Sequence, residues 1–422
     1  MRGAPDVRRV LLHCVGSAGD VLPFVAIARA LQARGAAPVI ATSAWFAPRI
    51  EQAGVPALAL GSREDYAGAL QRPGLWHPVR GPRALWSLVV DTLPATLQAL
   101  EGWLDDRQAL LVGSTLGLAV RIAADRGHPR TATVHLSPAC LLSAQRPVRL
   151  PGLPPLDALP LPLRRCVLDL LDRAAQRMLA PPLDAVRRSA GLPALDRRVT
   201  AWLHSPRQVI AAFPSWFAPP ASDWPAHTRS TGFPAIATGE ALAPDLEAFL
   251  REGSAPVVVT AGTGYADAGR FLDAALQAAR ACGARVVLAC AFPGAIPARL
   301  PPGTMAVAHA PFAALLPRAA ALVHHGGIGT MAAAFAAGLP QCISPLAFDQ
   351  YDNAARVAAL GAGLQLPRAG HRRAAWVRAI DRALHDPRVR AGALACASRI
   401  ASGPPAAEAI ADALLAGYDS PA

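Results

Sequence analysis

Short apolar runs alternate with longer amphipathic stretches along most of the chain. Residues 10–15 predict a buried strand, residues 16–20 a glycine-containing loop, and residues 21–34 a helix that ends at Gly35. The pattern continues with predicted strands at 38–42, 57–60, 109–112 and 131–135, and predicted helices at 84–105 and 116–126. This alternation of strand and helix predicts an α/β fold with a parallel, doubly wound sheet.

A second alternating series follows a proline-rich stretch at residues 214–244, which is typical of an interdomain linker. The series starts with a strand at residues 256–260 and continues to about residue 384. We therefore expect two Rossmann-like domains that face a central cleft, with ligands at the carboxyl ends of the strands. The expected boundaries are 1–232 for an acceptor-binding domain and 233–400 for a donor-binding domain. A tail at 401–422 is expected to return to the first domain.

The charge of the chain does not indicate a nucleic-acid-binding protein. The net charge is +12 over 422 residues, all 41 basic residues are arginine, and the one asparagine is Asn353. This bias is typical of GC-rich coding, and the arginines are scattered without an aromatic-interleaved stripe. An anionic substrate or a membrane surface remains compatible with the charge.

The seven cysteines form no CxxC pair and most lie in apolar runs, which favours reduced thiols in a cytoplasmic protein. We expect neither a secretory signal nor a membrane span. Residues 163–188 predict a helix with arginines among leucines. Its arginines are interpreted either as a solvated face or as a lip in peripheral contact with the inner membrane. The pattern does not fix the oligomeric state.

The most informative segment is the run from His324 to Thr330. An apolar strand at 319–323 precedes it and an alanine-rich helix at 331–337 follows it. A glycine loop between a strand and a helix N-terminus presents backbone N–H groups and the helix dipole to an anion such as phosphate. His325 adds a side-chain donor, whereas His324 is expected to be structural. Tight packing alone is the alternative explanation of such a turn.

Polar residues at two further positions extend this candidate site. Asp349 and Gln350 follow the next strand and can hydrogen-bond several hydroxyl groups, so phosphate beside hydroxyls indicates a nucleotide sugar. Asn353 is interpreted either as a donor contact or as a residue of the helix start. Gly262 and Thr263 follow the first strand of the second series and are expected to approach the diphosphate from its other side.

Two strings carry a resemblance to a known family. Residues 16–23 resemble the first loop, and residues 311–350 the donor-binding signature, of the GT-B glycosyltransferases that use nucleotide sugars. Within that family, residues 202–206, 213–220, 223–225 and 231–234 resemble the rhamnosyltransferase of rhamnolipid synthesis. The resemblance covers nearly the whole chain and implies the GT-B fold.

The resemblance also implies roles for individual residues. Asp20 takes the position of the catalytic base, with a pKa raised by burial; the alternative is an N-cap of the helix that starts at Val21. The residues implied for the donor diphosphate are His325, Gly327, Gly329, Thr330, Gly262 and Thr263. Asp349 and Gln350 would bind the sugar.

Two departures from the family pattern bear on the donor. His309 precedes Ala310 and Pro311 where many relatives carry a tryptophan that stacks on the base, so His309 and Pro311 are expected at the base. Ala333 replaces a glutamate that binds ribose in relatives that use UDP. We therefore expect dTDP-rhamnose rather than UDP-glucose as co-substrate, with no cofactor and no metal.

The implied activity is inverting, metal-independent transfer of a hexose to a hydroxyl of a lipidic acceptor. The expected pair is L-rhamnose from dTDP-L-rhamnose and a 3-(3-hydroxyalkanoyloxy)alkanoic acid. Glucose transfer from UDP-glucose to a sterol, macrolide or polyphenol is the main alternative. Nucleotide-sugar epimerisation and a catalytically idle partner protein are two others. Trp76 and Trp86 are interpreted either as core residues or as the lining of an acceptor channel in the first domain.

Overall fold

A computed structural model describes residues 7–235, 240–265, 268–368 and 372–419. The chain divides into two compact units. The first unit comprises Met1–Leu75, Val79–Pro234 and Pro404–Ala422, and the second comprises Trp76–Pro78 and Ala235–Gly403. Within the described ranges, no helix combines the length and the apolar character needed to cross a membrane.

The first unit is built on a seven-stranded sheet in which every strand pair is parallel, as the alternating pattern predicts. The strand order is β3-β2-β1-β4-β5-β6-β7. In chain order the strands are β1 (Arg9–His13), β2 (Ala37–Ser43), β3 (Ala57–Leu60), β4 (Leu110–Ser114), β5 (Thr131–His135), β6 (Gln208–Ala211) and β7 (Thr228–Ser230). The strand order reverses at β1, so the loop after β1 lies where ligands bind in such sheets.

Helices connect these strands and cover the sheet. They are α1 (Ala18–Gln32), α2 (Ala47–Gln52), α3 (Arg63–Leu70), α4 (Gly81–Ala99), α5 (Glu101–Leu104), α6 (Leu118–Asp125), α7 (Leu161–Ser189) and α8 (Val199–Trp202). The helix predicted at 84–105 is two helices, because the chain departs from helical geometry at Leu100.

A network of buried ion pairs and hydrogen bonds connects α6, α7 and α8 of the first unit. Asp125 accepts a hydrogen bond from Trp202 Nε1 at 2.6 Å and ion-pairs with Arg187. The Arg121 Nε donates to the backbone oxygen of Trp202 at 2.7 Å. Both arginines are buried, so part of the positive charge of the chain serves internal packing and not a binding surface.

The second unit has a six-stranded parallel sheet with the order β10-β9-β8-β11-β12-β13. Its strands are β8 (Val257–Thr260), β9 (Val286–Ala289), β10 (Thr304–Val307), β11 (Ala321–His324), β12 (Gln341–Ile343) and β13 (Gly363–Gln365). Its helices are α9 (Pro244–Arg251), α10 (Gly269–Ala281), α11 (Phe312–Leu315), α12 (Ile328–Ala336), α13 (Gln350–Ala359), α14 (Arg373–His385) and α15 (Pro387–Ala401). The strand order reverses between β8 and β11, which places the loops after these two strands side by side.

The last helix, α16 (Ala406–Asp419), packs on α1 of the first unit. Ile410 and Leu414 are fully buried there. Arg34 Nε pairs with Asp412 Oδ1 at 2.5 Å, and Gln208 Nε2 donates to the backbone oxygen of Ala413 at 2.7 Å. The end of the chain is thus part of the first unit's core.

Leu414→Ala should lower the free energy of unfolding of the first unit by about 2–5 kcal/mol, because it removes buried methyl groups and leaves a cavity. Chemical denaturation followed by tryptophan fluorescence measures this loss. Leu170 on α7 is 65% exposed, so Leu170→Ala is a matched control expected to change stability by less than about 0.5 kcal/mol. Equal losses in the two variants would contradict the assigned position of α16.

Candidate active site

Asp20 lies in the first turn of α1, directly after β1. The backbone N–H of Ser17 donates to Asp20 Oδ2 at 2.7 Å, and the Ser17 hydroxyl donates to the same oxygen at 3.0 Å. The helix begins at Ala18 with Ser17 as its N-cap, so the alternative in which Asp20 caps a helix starting at Val21 is wrong. The Ser17-x-x-Asp20 spacing is the sequence signal of a capping box and could have located this start.

Gly16 allows the chain to pass directly beside this carboxylate. A Cβ atom at residue 16 would overlap Asp20 Oδ2, and the φ angle of +142° is one that side chains rarely adopt. The glycine therefore permits the carboxylate to lie against the backbone.

A second capping box shows what is particular to Asp20. At the start of α3 the backbone N–H of Ser62 donates to Asp65 Oδ2, also at 2.7 Å. The Ser62 hydrogen bonds lower the pKa of exposed Asp65, whereas burial raises the pKa of Asp20 in spite of the same kind of bonds from Ser17. Because the local geometry matches, burial is the cause of the difference. A carboxylate whose pKa is raised toward neutrality suits a general base.

Two other ionisable groups lie near Asp20. Burial raises the pKa of the Cys14 thiol to about 12 and raises the pKa of the Tyr66 hydroxyl, and the charge of Asp20 adds to both shifts. Both groups stay protonated near neutral pH, so neither competes with Asp20 as a proton acceptor. Tyr66 stacks on Trp45 with ring centroids 5.5 Å apart. The sequence pattern did not point to Tyr66, because its approach to Asp20 depends on the packing of α3.

In the second unit, the residues expected at the diphosphate come together. Thr260 and His324 face each other in register at the ends of β8 and β11. The His325 ring lies between two glycines: a Cβ atom would come within 2.6 Å of its Cε1 at Gly262 and within 2.5 Å of its Nε2 at Gly327. Any side chain at either position would displace the imidazole. Thr263 follows in the same loop and is exposed.

His325 is a neutral imidazole near neutral pH. Burial lowers its pKa to about 4, and the Thr260 backbone opposes this shift only in part. Its Nδ1 is buried and has no hydrogen-bond partner among the residues the structure describes. Buried polar atoms are normally paired, so the exception at this nitrogen is consistent with a functional role of the ring.

The first turn of α12 supplies further donors. This helix begins at Ile328, not at residue 331 as predicted, so Gly329 and Thr330 belong to the helix. Gly327 is the N-cap, and the first intrahelical bond of this turn runs from Met331 N–H to the Gly327 oxygen. The preceding N–H groups lack intrahelical acceptors and lie at the positive end of the helix dipole. This arrangement suits a phosphate group.

His324 holds the backbone of the loop, in agreement with its expected structural role. Its Nδ1 accepts from the Gly326 N–H at 3.2 Å, and its Nε2 lies 3.0 Å from Gln341 Oε1. Burial lowers the pKa of His324 to about 3, so this ring also is neutral.

The residues expected at the sugar lie at the start of α13. Asp349 is the N-cap residue and is partly exposed. Gln350 is buried, and its Oε1 accepts from the N–H groups of Leu346 and Ala347 at 2.8 and 3.1 Å. Asn353 is fully buried and its Nδ2 donates to Asp349 Oδ2 at 2.9 Å. Gln350 and Asn353 thus have internal hydrogen bonds that the sequence did not reveal.

The two tryptophans expected in an acceptor channel have different positions. Trp76 belongs to the second unit, which corrects its expected place in the first domain. Its ring meets those of Tyr265 and Phe348 edge-on at 5.5 and 5.6 Å, so it lies beside the residue that precedes Asp349. Trp86 is buried in the core of the first unit, where its Nε1 donates to the Leu179 oxygen at 2.9 Å.

The residues expected at the nucleotide base lie at the surface of the second unit. The side chain of His309 is 56% exposed, with its Nε2 3.8 Å from Glu240 Oε2. Pro311 is the N-cap residue of α11. The imidazole is thus accessible to a planar partner. Across the described ranges, no three His, Cys, Asp or Glu side chains are grouped so as to hold a metal ion.

Comparison with known proteins identifies the family. Residues 10–124 match the glycosyltransferase family 28 N-terminal domain, and residues 274–416 match the C-terminal domain of erythromycin biosynthesis protein CIII-like proteins. Glycosyltransferase GtfE of Amycolatopsis orientalis is 32% identical over 84% of this chain and 85% of its own length. The chain belongs to the GT-B glycosyltransferases. It is therefore an enzyme of sugar transfer, and the idle-partner alternative is set aside.

Two other relatives of this glycosyltransferase are named for transfer of particular sugars. A dTDP-epi-vancosaminyltransferase of Amycolatopsis orientalis is 30% identical over 84% of this chain and 85% of its own length. An O-mycaminosyltylonolide 6-deoxyallosyltransferase of Streptomyces fradiae is 29% identical over 90% of each chain. The solved structure of the glycotransferase of kitacinnamycin covers 98% of this chain and 100% of its own, with a TM-score of 0.74 at 18% identity. These likenesses confirm the predicted GT-B fold.

Asp20→Asn should raise the melting temperature at about pH 8. Burial raises the pKa of Asp20 above its value in the unfolded chain, so the ionised carboxylate destabilises the folded state once the pH exceeds that unfolded value. The gain should shrink as the pH falls toward about 4, where the unfolded chain also binds the proton. Scanning fluorimetry across this pH range measures it.

Asp65→Asn is the matched control for this experiment. Its pKa is lowered in the folded state, so removal of its charge should lower the melting temperature at about pH 8, and this loss should shrink in acid. Shifts of the same sign in both variants would refute the assignment of Asp20 as a carboxylate destabilised by burial.

Proposed function

We propose that this glycosyltransferase moves L-rhamnose from dTDP-L-rhamnose to a hydroxyl of a lipidic acceptor, with inversion at the anomeric carbon and without a metal ion. The observation that carries the proposal is the position of His325 beside the N-terminus of α12. A neutral imidazole with an unpaired buried nitrogen lies beside the first turn of α12, where backbone N–H groups suit a diphosphate.

The choice of a dTDP-linked deoxy sugar is supported by two observations. One relative is named for a dTDP-linked donor and another for transfer of a 6-deoxyallosyl group. In this chain Ala333 on α12 offers no carboxylate to the ribose hydroxyls. A deoxyribose has one hydroxyl fewer to satisfy than a ribose. A nucleotide with deoxyribose therefore loses less binding free energy at a site that lacks this carboxylate.

The proposed chemistry assigns one role to each part of the site. Asp20 accepts the proton of the acceptor hydroxyl as that oxygen forms its bond to C1 of the sugar. The bond from C1 to the phosphate oxygen breaks, and its electron pair remains on the diphosphate. His325 and the first-turn N–H groups of α12 stabilise that charge. Asp349 and Gln350 bind the sugar hydroxyls, with Gln350 acting through Nε2 because its Oε1 accepts two backbone N–H groups.

The acceptor proposal draws support from a groove of about 570 Å³ in the first unit. The groove lies between α4 and α7, and its lining residues include Trp86, Met178, Arg83 and Arg177. Apolar walls with two guanidinium groups suit an amphipathic acid such as a 3-(3-hydroxyalkanoyloxy)alkanoic acid. This lining is also compatible with the interpretation of Trp86 as part of an acceptor channel.

Glycosylation of a macrolide-type acceptor is the second candidate function. It is favoured by the O-mycaminosyltylonolide transferase, whose name states such an acceptor and which matches over 90% of both chains. The GT-B fold does not discriminate between a lipidic and a macrolide-type acceptor, since one fold serves many acceptors.

A matrix of donors and acceptors decides between these functions. We expect mass spectrometry to detect product from dTDP-L-rhamnose and a 3-(3-hydroxyalkanoyloxy)alkanoic acid, with a kcat/KM at least about tenfold above that for UDP-glucose, as one lost hydrogen bond implies. Product only with a macrolide aglycone would establish the second function. Conversion of the nucleotide sugar in the absence of any acceptor would instead reveal an epimerase.

Asp20→Ala should lower kcat by about 10²–10⁴-fold, the contribution typical of a general base. Calorimetry should show that dTDP-L-rhamnose binds with unchanged affinity, since Asp20 is not assigned to the donor. Asp65→Ala alters the corresponding residue of the other capping box and should leave kcat unchanged. Undiminished turnover in Asp20→Ala would remove this residue from the mechanism.

A further inference from the structure

The peptide groups of Gly326 are held from both sides by buried side chains. Its N–H donates to His324 Nδ1 at 3.2 Å, and its carbonyl oxygen accepts from Asn353 Nδ2 at 2.9 Å. Gly326 directly precedes the N-cap of α12, so the position of its backbone sets where the first-turn N–H groups point. Asn353 lies on α13 and therefore ties a second helix to this loop.

The same amide nitrogen of Asn353 also holds Asp349. Nδ2 donates to Asp349 Oδ2 at 2.9 Å in addition to its bond with Gly326. An amide NH₂ has two donors, and both are engaged by acceptors, so the orientation of the side chain is fixed. One side chain thus connects the loop assigned to the diphosphate with the carboxylate assigned to the sugar.

No other side chain of similar size can make both bonds. An ionised aspartate would place an acceptor against a carbonyl and a carboxylate, and serine has a single donor. Asn353 makes these bonds although its Oδ1 is buried without a hydrogen-bond partner in the described part of the chain. The contribution of this residue therefore comes from its two N–H donors, in a sequence that has no other asparagine.

We propose that Asn353 is a positioning residue that couples recognition of the donor sugar to recognition of the diphosphate. It fixes the Asp349 carboxylate relative to the Gly326 backbone, so displacement of either group weakens the binding of both parts of the donor. This inference rests on the proposed function of Asp349 and of the α12 loop.

The test compares the affinities of dTDP and dTDP-L-rhamnose by calorimetry. In the wild type the sugar should strengthen binding, and the ratio of the two dissociation constants measures its contribution. Asp349→Ala should move this ratio toward one, with Gln350 supplying the remaining contribution of the sugar. Asn353→Asp should move the ratio in the same direction and should also weaken the binding of dTDP itself by about tenfold, the effect of one lost hydrogen bond to the loop. Asn353→Ser serves as a second variant if the first fails to fold.

A double-variant comparison shows whether Asn353 acts through Asp349. In Asn353→Asp combined with Asp349→Ala, the sugar-dependent ratio should be no lower than with Asp349→Ala alone. Asp352 is the control, because it is a buried polar residue of α13 that ion-pairs with Arg356 on the same helix. Asp352→Asn should lower the melting temperature without changing the ratio.

Three results would overturn the coupling. One is an Asn353→Asp protein with wild-type affinities for both ligands. Another is a loss of dTDP affinity with an unchanged ratio, which would show that Asn353 positions the loop but not Asp349. The last is an equal decrease of the ratio in Asp352→Asn, which would show that the effect arises from the stability of α13. Wild-type protein that binds neither ligand would instead refute the proposed function itself.

Discussion

A helix N-terminus binds a diphosphate only if its N–H groups are fixed and no negative charge lies among them. The second unit meets both demands with neutral side chains. Burial keeps the imidazoles of His324 and His325 uncharged, and Gln341 and Asn353 supply amides. His324 and Asn353 hold the loop by hydrogen bonds to the Gly326 backbone. Glycine is required at residues 262 and 327, because the backbone passes close to the His325 ring at both positions.

Burial has opposite effects on the pKa values of the two groups proposed for catalysis, and both effects favour the proposed reaction. It disfavours charge, so it raises the pKa of Asp20 in the first unit and lowers the pKa of His325 in the second. A base needs a carboxylate that readily takes a proton, whereas a donor to a leaving diphosphate needs an imidazole that keeps one N–H. The comparison with Asp65 isolates burial as the cause in the case of Asp20, because both carboxylates occupy the same capping geometry.

The alternation of apolar and amphipathic segments was sufficient to predict the parallel sheets and the loops that carry the candidate site. It failed where a long-range contact decides the outcome. Arg187 belongs to the core because it pairs with Asp125, 62 residues away, and Arg121 because it packs on Trp202, 81 residues away. The early starts of α1 and α12 were missed because glycine and serine were interpreted as loop residues, although Ser17 and Asp20 have the spacing of a capping box. No local pattern could indicate that Trp76 belongs with the second unit.

The acceptor is the property least determined by the fold, since one fold serves many acceptors. It must therefore be argued from the lining of the groove between α4 and α7. A neutral ring system placed there would displace water from Arg83 and Arg177 without replacing its hydrogen bonds. The carboxylate of a lipidic acid would replace those bonds, while its chains cover Trp86 and Met178. The proposed amphipathic acid therefore matches the polar and apolar groups that line this groove.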